Sequence, residues 1–535
     1  MAELARLAEE AFQRHGDYES VWFEGQAHRS GELFERGRRI AGGLIELGVE
    51  PGDRVVVMAA NSPDVPVVYH ALWRAGAAIT PAIFLLPVEE LRHILVDSEA
   101  RAVVASAEFL ETVRVAGEEL DLLILSTDEL PEGDPREIVE SELAALLYTG
   151  GTTGRAKGVM LSHDNLWRAG KAGHDAGYVP GLSRSLVALP LSHAYGLLVT
   201  VVGFHAREPG VTTLMRWFEP AGFLELVQER RVELSAVVPS MLQALLAQPL
   251  EDYDLSSLRY LVSGAAPLAA EVVAELKRRL PDVEVREGYG LTETSALVAS
   301  NRPGHVKLGS VGPPVPGSEV RIADDAGKEV PTGEVGEICC RSPFVMQGYW
   351  RAPQLTAEST EGGWLRTGDL GYLDEDGYLF VVDRKKDLII RGGFNVFPRD
   401  VEDALLEHPA VTSAAVVGRP DREHGEEVVA FVALRAGADL TAEELVAFAK
   451  ERIGGYKYPR EVFVVPSVPL TPVGKVDRKA LRELVVSVLT TSRRRSRWPA
   501  CSGSRSSRQR PRRCAARSRG GLTSARRAAS STAAR

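Results

Sequence analysis

The sequence contains little cysteine and no long hydrophobic run. Only four of its 535 residues are cysteines, and two of these, Cys339 and Cys340, are adjacent. Cysteines spaced in this way predict neither a disulfide framework nor a metal site. The most apolar stretch, Gly196 to Phe204, is too short to cross a bilayer. These absences argue against a disulfide-rich secreted protein and against an integral membrane segment, and we expect a cytoplasmic location.

The overall composition is typical of a globular protein with more than one domain. Hydrophobic residues make up 44% of the chain and the mean hydropathy is -0.08. A chain of this length can form two or more domains with an ample core. Its first ten residues predict an amphipathic helix rather than a signal peptide, because acidic residues interrupt the apolar positions.

A glycine- and threonine-rich loop is the densest motif. Residues 148–158 read Tyr-Thr-Gly-Gly-Thr-Thr-Gly-Arg-Ala-Lys-Gly. Glycines let backbone N–H groups approach a ligand closely, threonine hydroxyls add donors and a lysine adds positive charge, so the loop predicts a cradle for phosphates. It is not a P-loop, because Ala156 precedes the lysine and no Ser or Thr follows it. The predicted phosphate-binding residues are Thr149, Gly150, Gly151, Thr152, Thr153, Gly154 and Lys157.

This loop resembles the phosphate loop of the adenylate-forming family, which includes acyl-CoA synthetases, peptide-synthetase adenylation domains and firefly luciferase. The family form is Thr-Ser-Gly-Thr-Thr-Gly-x-Pro-Lys-Gly. This chain has Gly150 for the serine and Ala156 for the proline, and it keeps Lys157. Four further family segments follow in order, and the resemblance covers about Ala27 to Arg482.

The resemblance implies an α/β fold in two parts. Residues 1–385 would form a large AMP-binding domain of helix-covered sheets with a β-rich subdomain, and residues 386–485 a small mobile α/β lid. The sequence pattern agrees, because apolar strands such as Arg54 to Ala60 alternate with predicted helices such as Pro63 to Ala75. Turn signals between His305 and Asp383 predict β-hairpins.

The segment Gly288 to Thr294 combines residues suited to a nucleotide. Tyr289 can stack on a purine, Thr292 can donate to a phosphate, and the Glu293 carboxylate suits Mg²⁺. The resemblance adds a turn against the adenine, ribose contacts, a hinge lysine and two glycines that meet the pantetheine arm of CoA. The residues implied are Gly264, Ala265, Ala266, Gly288, Gly290, Asp369, Arg384, Lys386, Gly392 and Gly393, with Glu293 and Thr149 as magnesium ligands.

Three residues are the predicted catalytic group: Lys475, Glu293 and His193. The resemblance implies that Lys475 reaches the carboxylate and the α-phosphate during adenylation, where its charge would stabilise developing negative charge. It places His193 at the mouth of the acyl pocket. The implied reaction activates a carboxylic acid with Mg-ATP to acyl-AMP and then transfers the acyl group to CoA.

We expect the substrate to be a medium- or long-chain fatty acid, because the candidate pocket is apolar and the stretches Gly288 to Asn301 and Ile389 to Pro398 resemble those of bacterial fatty-acyl-CoA ligases. No evident cation awaits a second carboxylate, which argues against dicarboxylates. An aryl-CoA ligase and an acyl-AMP ligase that loads a carrier protein stay open as alternatives. A luciferase-like monooxygenase would share every motif. The candidate pocket residues are Ala194, Val238, Met241, Ala265, Ala296 and Leu297.

The C-terminal tail is strongly basic. Residues 493–535 contain 14 arginines and no acidic residue, although the whole chain has a net charge of -10. We expect residues 492–535 to be a disordered Arg/Ser/Ala-rich tail, because they offer almost no aliphatic side chains for a core. The tail could contact nucleic acid or an anionic membrane. We favour a chance extension, such as a frame-shifted reading of a GC-rich gene, and expect no specific nucleic-acid partner.

Removing the residues after Ser492 is expected to leave ATP-dependent thioester formation unchanged, because no family motif lies beyond that position. Turnover and solubility of the truncated and full-length proteins are the measurements. Loss of either on truncation would show that the tail is a working part of the enzyme.

Overall fold

The computed structural model describes residues 3–149, 155–435, 437–471 and 475–485, and these form a mixed α/β structure. The first half contains α1 (Leu4–His15), β1 (Glu19–Phe23), β2 (Gln26–Arg29), α2 (Ser30–Glu46), β3 (Arg54–Met58), α3 (Asp64–Arg74), β4 (Ala78–Pro81), α4 (Val88–Asp97), β5 (Ala100–Ala105), α5 (Leu110–Ala116), β6 (Leu123–Ser126), β7 (Leu143–Thr149), β8 (Lys157–Ser162), α6 (His163–Gly177), β9 (Arg184–Val187), α7 (Ala194–Phe204), β10 (Val211–Leu214), α8 (Pro220–Arg230), β11 (Leu234–Val237) and α9 (Pro239–Leu246).

The second half is richer in strands. It contains β12 (Tyr260–Ser263), α10 (Ala270–Arg279), β13 (Glu284–Tyr289), β14 (Ala299–Ser300), β15 (Glu319–Ala323), β16 (Gly336–Arg341), β17 (Gly348–Tyr349), α11 (Pro353–Ser359), β18 (Thr360–Glu361), β19 (Trp364–Leu373), β20 (Leu379–Arg384), β21 (Ile389–Arg391), β22 (Phe394–Val396), α12 (Pro398–Leu406), β23 (Val411–Asp421), β24 (Gly425–Leu434), α13 (Ala442–Arg452) and β25 (Glu461–Val464).

Two largely parallel sheets form the N-terminal part. One has eight strands in the order β14-β13-β12-β11-β9-β10-β1-β2, and the other has seven in the order β17-β8-β7-β4-β3-β5-β6. Strands such as β3 are continuous apolar runs because helices cover both faces of a parallel sheet. The core of this part contains the fully buried side chains of Tyr69, Trp73 and Phe223.

Two smaller sheets complete the described chain. An antiparallel sheet joins β15, β16, β19, β18 and β20, which confirms the predicted β-rich segment between His305 and Asp383. The last sheet joins β22, β21, β24, β23 and β25, with α12 packed on β23. Among the residues described, no helix is long and apolar enough to cross a membrane.

The predicted elements agree with the structure in type and differ at their ends. The helix predicted from Pro63 to Ala75 is α3, and the predicted strand from Arg54 is β3. The predicted strand was expected to continue to Ala60, whereas β3 ends at Met58.

Candidate active site

A cavity of about 2530 Å³ receives side chains from all four sheets and from the C-terminal segment around Lys475. Its lining includes residues at the carboxyl ends of parallel strands, such as Gly264 after β12 and Tyr289 at the end of β13, which is where α/β folds commonly bind ligands. Most of the predicted site residues line it. They are Thr149, Lys157, His193, Gly264, Ala265, Ala266, Gly288, Tyr289, Gly290, Thr292, Glu293, Asp369, Arg384, Lys386 and Lys475.

The phosphate loop connects the two strands of a β-hairpin at the cavity wall. Thr149 ends β7 and pairs with Lys157, which begins β8. Gly150, Gly151, Thr152, Thr153 and Gly154 lie outside the described residues, so their contacts stay a prediction. The two residues that flank the loop on the strands face the cavity, as a phosphate cradle requires.

Tyr349 connects the loop lysine to Glu293. The Nζ of Lys157 lies 5.7 Å from the centroid of the Tyr349 ring, and the Tyr349 hydroxyl donates to Glu293 Oε1 at 2.9 Å. Burial, reinforced by the Glu293 charge, raises the pKa of Tyr349. The Tyr349 hydroxyl therefore stays protonated and holds the Glu293 carboxylate by donating a hydrogen bond to it. The sequence did not predict this role.

The residues present fit a magnesium ion that is bound mainly through a substrate. Glu293 offers one carboxylate and Thr149 one hydroxyl at the cavity surface. The described part of the chain contains no cluster of three or more His, Cys, Asp or Glu side chains that could form a metal cage. Mg²⁺ commonly uses one or two carboxylates together with substrate phosphates and waters, so a single glutamate is sufficient.

Tyr289 and Asp369 form a hydrogen-bonded pair opposite Glu293. The Tyr289 hydroxyl donates to Asp369 Oδ2 at 2.7 Å, and Arg384 Nε lies 3.4 Å from Oδ1. Asp369 and Arg384 are cross-strand partners on β19 and β20, so the sheet register places them together. Burial and the nearby Asp369 charge raise the pKa of Tyr289. The Tyr289 ring is thus fixed in position and its hydroxyl is a donor.

Lys475 enters the cavity from a turn near the end of the described chain. The Thr471 N–H donates to the Lys475 carbonyl at 2.7 Å, and the Lys475 N–H donates to Thr471 Oγ1 at 3.2 Å. Burial, with a smaller contribution from Arg384, lowers the pKa of Lys475 to about 8, against the opposing charges of Asp369 and Glu293. Its ammonium therefore sits among the groups that would surround a nucleotide.

His193 stands before α7 and caps it. Its Nδ1 accepts the Tyr195 N–H at 3.2 Å, which leaves Nε2 as the protonated nitrogen. Burial, with the Lys475 charge, lowers the pKa of His193 to about 4. The imidazole is therefore neutral near pH 7 and can only donate a hydrogen bond into the cavity.

The residues on either side of Lys386 form ion pairs with different parts of the chain. Lys385 Nζ contacts Asp325, in the turn after β15, at 2.7 Å and Glu337, on β16, at 3.1 Å, so both partners belong to the N-terminal part. Asp387 instead accepts from Arg482 at 2.6 Å, near the end of the described chain. Burial lowers the pKa of Lys386, which lies between them. The chain thus changes its partners at this residue.

Several predicted site residues lie elsewhere. Gly392 and Gly393 form the turn between β21 and β22, with φ of 58° and 82°, and are not among the described residues that line the cavity. Val238 and Met241, which we expected in the acyl pocket, are not among the described residues that line the cavity. Met241 is buried in a hydrophobic core cluster and Val238 packs against that cluster. Ala194, Ala265, Ala296 and Leu297 do line the cavity.

A buried cation that was not singled out from the sequence also lines the cavity. Arg286 is 3% exposed and lines the cavity on β13. The sequence did contain a signal for this position. Arg286 is two residues from Gly288 on the same strand, and residues with this spacing lie on the same face of the sheet. Tyr195 was missed as well, and its hydroxyl donates to the Val262 carbonyl at 3.0 Å.

Comparison with known proteins identifies the family. The chain matches the AMP-binding enzyme model over residues 8–350 and the AMP-binding enzyme C-terminal domain model over residues 400–475. It is 39% identical to a feruloyl-CoA synthase of Amycolatopsis sp, covering 86% of this chain and 94% of that protein. It is 35% identical to 4-coumarate--CoA ligase 2 of Nicotiana tabacum, covering 83% and 87%.

A solved structure gives the same result. The anthranilate CoA ligase AuaEII in complex with anthranoyl-AMP superposes with a TM-score of 0.84 at 26% identity, covering 91% of this chain and 98% of that one. The co-substrates of such ligases are a small carboxylic acid, ATP and CoA. The chain therefore belongs to the adenylate-forming AMP-binding enzymes, as an ATP-dependent, AMP-forming acid–thiol ligase that uses Mg²⁺ and CoA.

Proposed function

We propose that this enzyme is an aryl-CoA ligase. The observation that carries the proposal is the similarity over most of the chain to feruloyl-CoA synthase and 4-coumarate–CoA ligase. We therefore replace the fatty acid that we expected from the sequence by an aromatic acid as the proposed substrate. A pocket composed of small and apolar residues suits either class, so composition alone did not separate them.

The geometry beside the reaction centre supports a flat substrate. A Cβ at Gly264 would lie 3.3 Å from the Tyr195 ring, so this ring packs directly on the end of β12. Its hydroxyl is tied to Val262, and the ring cannot turn aside. Gly288, on the next strand, also lacks a side chain. A fixed aromatic wall beside glycines favours stacking of a planar ring over packing of a flexible chain.

The site residues would act in two steps. In the first, a carboxylate oxygen attacks the α-phosphorus of ATP, and the bond to pyrophosphate breaks. Thr149 and Lys157 would bind the phosphates, Asp369 the ribose hydroxyls, and Tyr289 the adenine. Lys475 would stabilise the charge that develops at the α-phosphate. Mg²⁺, bound by Glu293 and Thr149, would neutralise phosphate charge.

In the second step the CoA sulfur attacks the acyl carbonyl and AMP leaves. Lys475 occupies the cavity in the present arrangement, so we propose that residues 386–485 act as a lid that rotates about Lys386 relative to residues 1–385. The change of ion-pair partners across Lys386 supports this position of the hinge. Gly392 and Gly393 would then approach the pantetheine arm.

A panel of carboxylic acids tests the substrate class. Pyrophosphate release and thioester formation are measured with and without CoA for benzoate, cinnamate, octanoate and palmitate. We expect kcat/KM to be higher for cinnamate or benzoate than for either fatty acid. Faster turnover of octanoate or palmitate would restore the fatty-acid interpretation and contradict this one.

Adenylate formation is expected to lose efficiency as the pH rises through about 8. Lys475 is charged below its pKa of about 8 and neutral above it, and only the charged form would stabilise the α-phosphate. The measurement is kcat/KM for pyrophosphate release against pH, because this ratio reports groups of the free enzyme. Lys475→Arg, whose guanidinium stays charged, should remove the decline, and an unchanged decline would assign it to another group.

A further inference from the structure

Arg399 connects the lid, residues 386–485, to two separate segments of the N-terminal part. It is the second residue of α12. Its Nη1 donates to the Val381 carbonyl on β20 at 2.9 Å, and its Nη2 donates to the Leu268 carbonyl at 3.3 Å. Leu268 is 2% exposed and follows the turn of residues 264–266, for which we predict contact with the adenine. The guanidinium therefore joins the first turn of α12 to the wall of the cavity.

The backbone and a neighbouring side chain restrain the same residue. The Arg399 N–H donates to Asp383 Oδ2 at 3.0 Å, and the Arg384 N–H donates to the other oxygen of this carboxylate at 2.7 Å. Asp403 Oδ2, one turn later on α12, lies 3.6 Å from Arg399 Nε. The Arg399 side chain is 19% exposed, so it has little freedom to swing away.

The other charged side chains of the lid bind within the lid. Among the described residues of the segment 388–482, no other side chain forms a hydrogen bond or an ion pair with the described residues of the segment 3–382. The remaining ion pairs of lid arginines and lysines are Arg391–Glu427, Arg419–Glu461, Arg452–Glu407, Lys457–Asp400, Arg478–Glu402 and Arg482–Asp387. Rotation of the lid must therefore break the bonds of Arg399 first.

α12 also determines where Lys475 lies. Arg478, three residues after Lys475, donates to Glu402 Oε1 at 2.6 Å, and Glu402 is three residues after Arg399 on α12. The same oxygen accepts the Val416 N–H at 2.8 Å, which ties α12 to β23. The segment that carries Lys475 is thus attached to the helix that Arg399 attaches to the N-terminal part.

We propose that Arg399 is a positioning residue, an interdomain latch that holds the lid in the orientation in which Lys475 lies in the cavity. This inference rests on the proposed two-step function and adds to it the bonds that must break between the steps. Arg399 would act through α12 and Arg478 rather than on the reacting atoms. Without it, a smaller fraction of the enzyme would have the adenylating orientation, and the first step would slow in proportion.

The chemistry of these bonds suits a contact that opens in every turnover. A hydrogen bond to a backbone carbonyl contributes modestly to stability, because water takes the place of each partner when the bond breaks. An ion pair buried between the two parts would resist opening, because each charge would be left without its partner. Asp403 lies on the same helix as Arg399, so it stays beside the guanidinium when the lid moves.

The two half-reactions of Arg399→Ala test the proposal. Pyrophosphate release is measured with cinnamate and Mg-ATP, and thioester formation is measured from synthetic cinnamoyl-AMP and CoA. We expect pyrophosphate release to fall by about 10-fold or more, because two hydrogen bonds from a charged group no longer favour the adenylating orientation. Thioester formation should be at least as fast as in the wild type. Arg399→Lys should recover part of the loss, because an ammonium can still donate to one carbonyl.

A double-mutant cycle with Lys475 separates a positioning role from an independent one. If Arg399 acts by placing Lys475, Arg399→Ala should cause little further loss of pyrophosphate release in the Lys475→Ala background. Contributions that are independent would instead multiply. A full further 10-fold loss in the double mutant would therefore contradict the proposal.

Arg452→Ala is the matched control. Arg452 on α13 also donates to a carbonyl and a carboxylate, those of Phe448 at 3.1 Å and Glu407 at 3.0 Å, but both belong to the lid and Arg452 does not line the cavity. Neither half-reaction should change. Thermal unfolding of each variant checks folding, and if Arg399→Ala is unfolded, a smaller loss confined to pyrophosphate release in Arg399→Lys supports the latch.

The outcomes that overturn the inference differ from those that overturn the proposed function. Pyrophosphate release at the wild-type rate in Arg399→Ala, with a selective loss in Lys475→Ala, would reject the latch and leave the two-step function standing. Equal loss of both half-reactions in Arg399→Ala would make the arginine structural. Equal loss of both in Lys475→Ala would reject the proposed role of that lysine. If octanoate is turned over and cinnamate is not, the aromatic substrate is rejected and the latch is tested with octanoyl-AMP.

Discussion

Replacing Lys475 by alanine is expected to slow acyl-AMP formation by about 100-fold or more, the effect of removing a charge that stabilises a transition state. The reaction of preformed acyl-AMP with CoA should be nearly unaffected, because negative charge no longer develops at the α-phosphate in that step. Lys475 is buried and lines the cavity, as the proposed role requires. Pyrophosphate release and thioester formation from synthetic acyl-AMP are measured separately.

Lys450→Ala provides the control for this prediction. Lys450 belongs to α13 of the same C-terminal part and does not line the cavity, so neither half-reaction should change. A similar loss in both half-reactions of Lys475→Ala would show that the lysine supports the structure rather than the adenylation step.

Lys386→Pro is expected to have the opposite effect, with collapse of thioester formation and survival of ATP–pyrophosphate exchange. Proline fixes φ near −65° and restricts Lys385 before it, so the hinge loses the freedom that rotation requires. The arrangement that is retained would be the one with Lys475 in the cavity, which is the adenylating one.

Comparison with Lys386→Ala separates the effect of a restricted backbone from the effect of losing the lysine charge. Alanine removes the same ammonium and leaves φ free, so thioester formation in Lys386→Ala must exceed that in Lys386→Pro. A Lys386→Pro enzyme that forms acyl-CoA at the wild-type rate would rule out rotation at this residue.

The parts of the site that sequence predicted are those carried by continuous segments. Tyr289 ends β13, Thr292 and Glu293 lie in the turn just after it, and all three line the cavity. Thr149 and Lys157 likewise flank one hairpin. Within one short segment the separation of two residues along the chain determines how close they lie in the structure. Residue type and order were therefore sufficient to predict these site residues. The alternation of strands and helices predicted the fold class for the same reason.

The parts that were missed depend on pairing between distant segments. Tyr349 reaches Glu293 because β17 pairs with β8, almost 200 residues earlier, and no local pattern indicates that pairing. Arg286 was visible in the sequence, but its burial depends on the helices and strands that cover β13. Met241 was misplaced because an apolar residue near a pocket and one beneath it look alike until the helix orientation is known.

Composition could not decide between the fatty acid that we expected and the aromatic acid that we now propose, for a related reason. Both substrates need apolar walls, and composition does not reveal the shape of the space between them. The feature that supports our proposal of an aromatic acid is the fixed ring of Tyr195 against Gly264, and it arises from packing between distant segments.

A single-turnover experiment with excess enzyme tests the central claim most directly. Enzyme, Mg-ATP labelled at the α-phosphate and 4-hydroxycinnamate are mixed without CoA, and the products are separated before and after CoA is added. We expect labelled acyl-AMP together with unlabelled pyrophosphate first, followed by conversion of the labelled acyl-AMP to labelled AMP as the thioester forms. Release of ADP, or thioester formation without prior acyl-AMP, would contradict it.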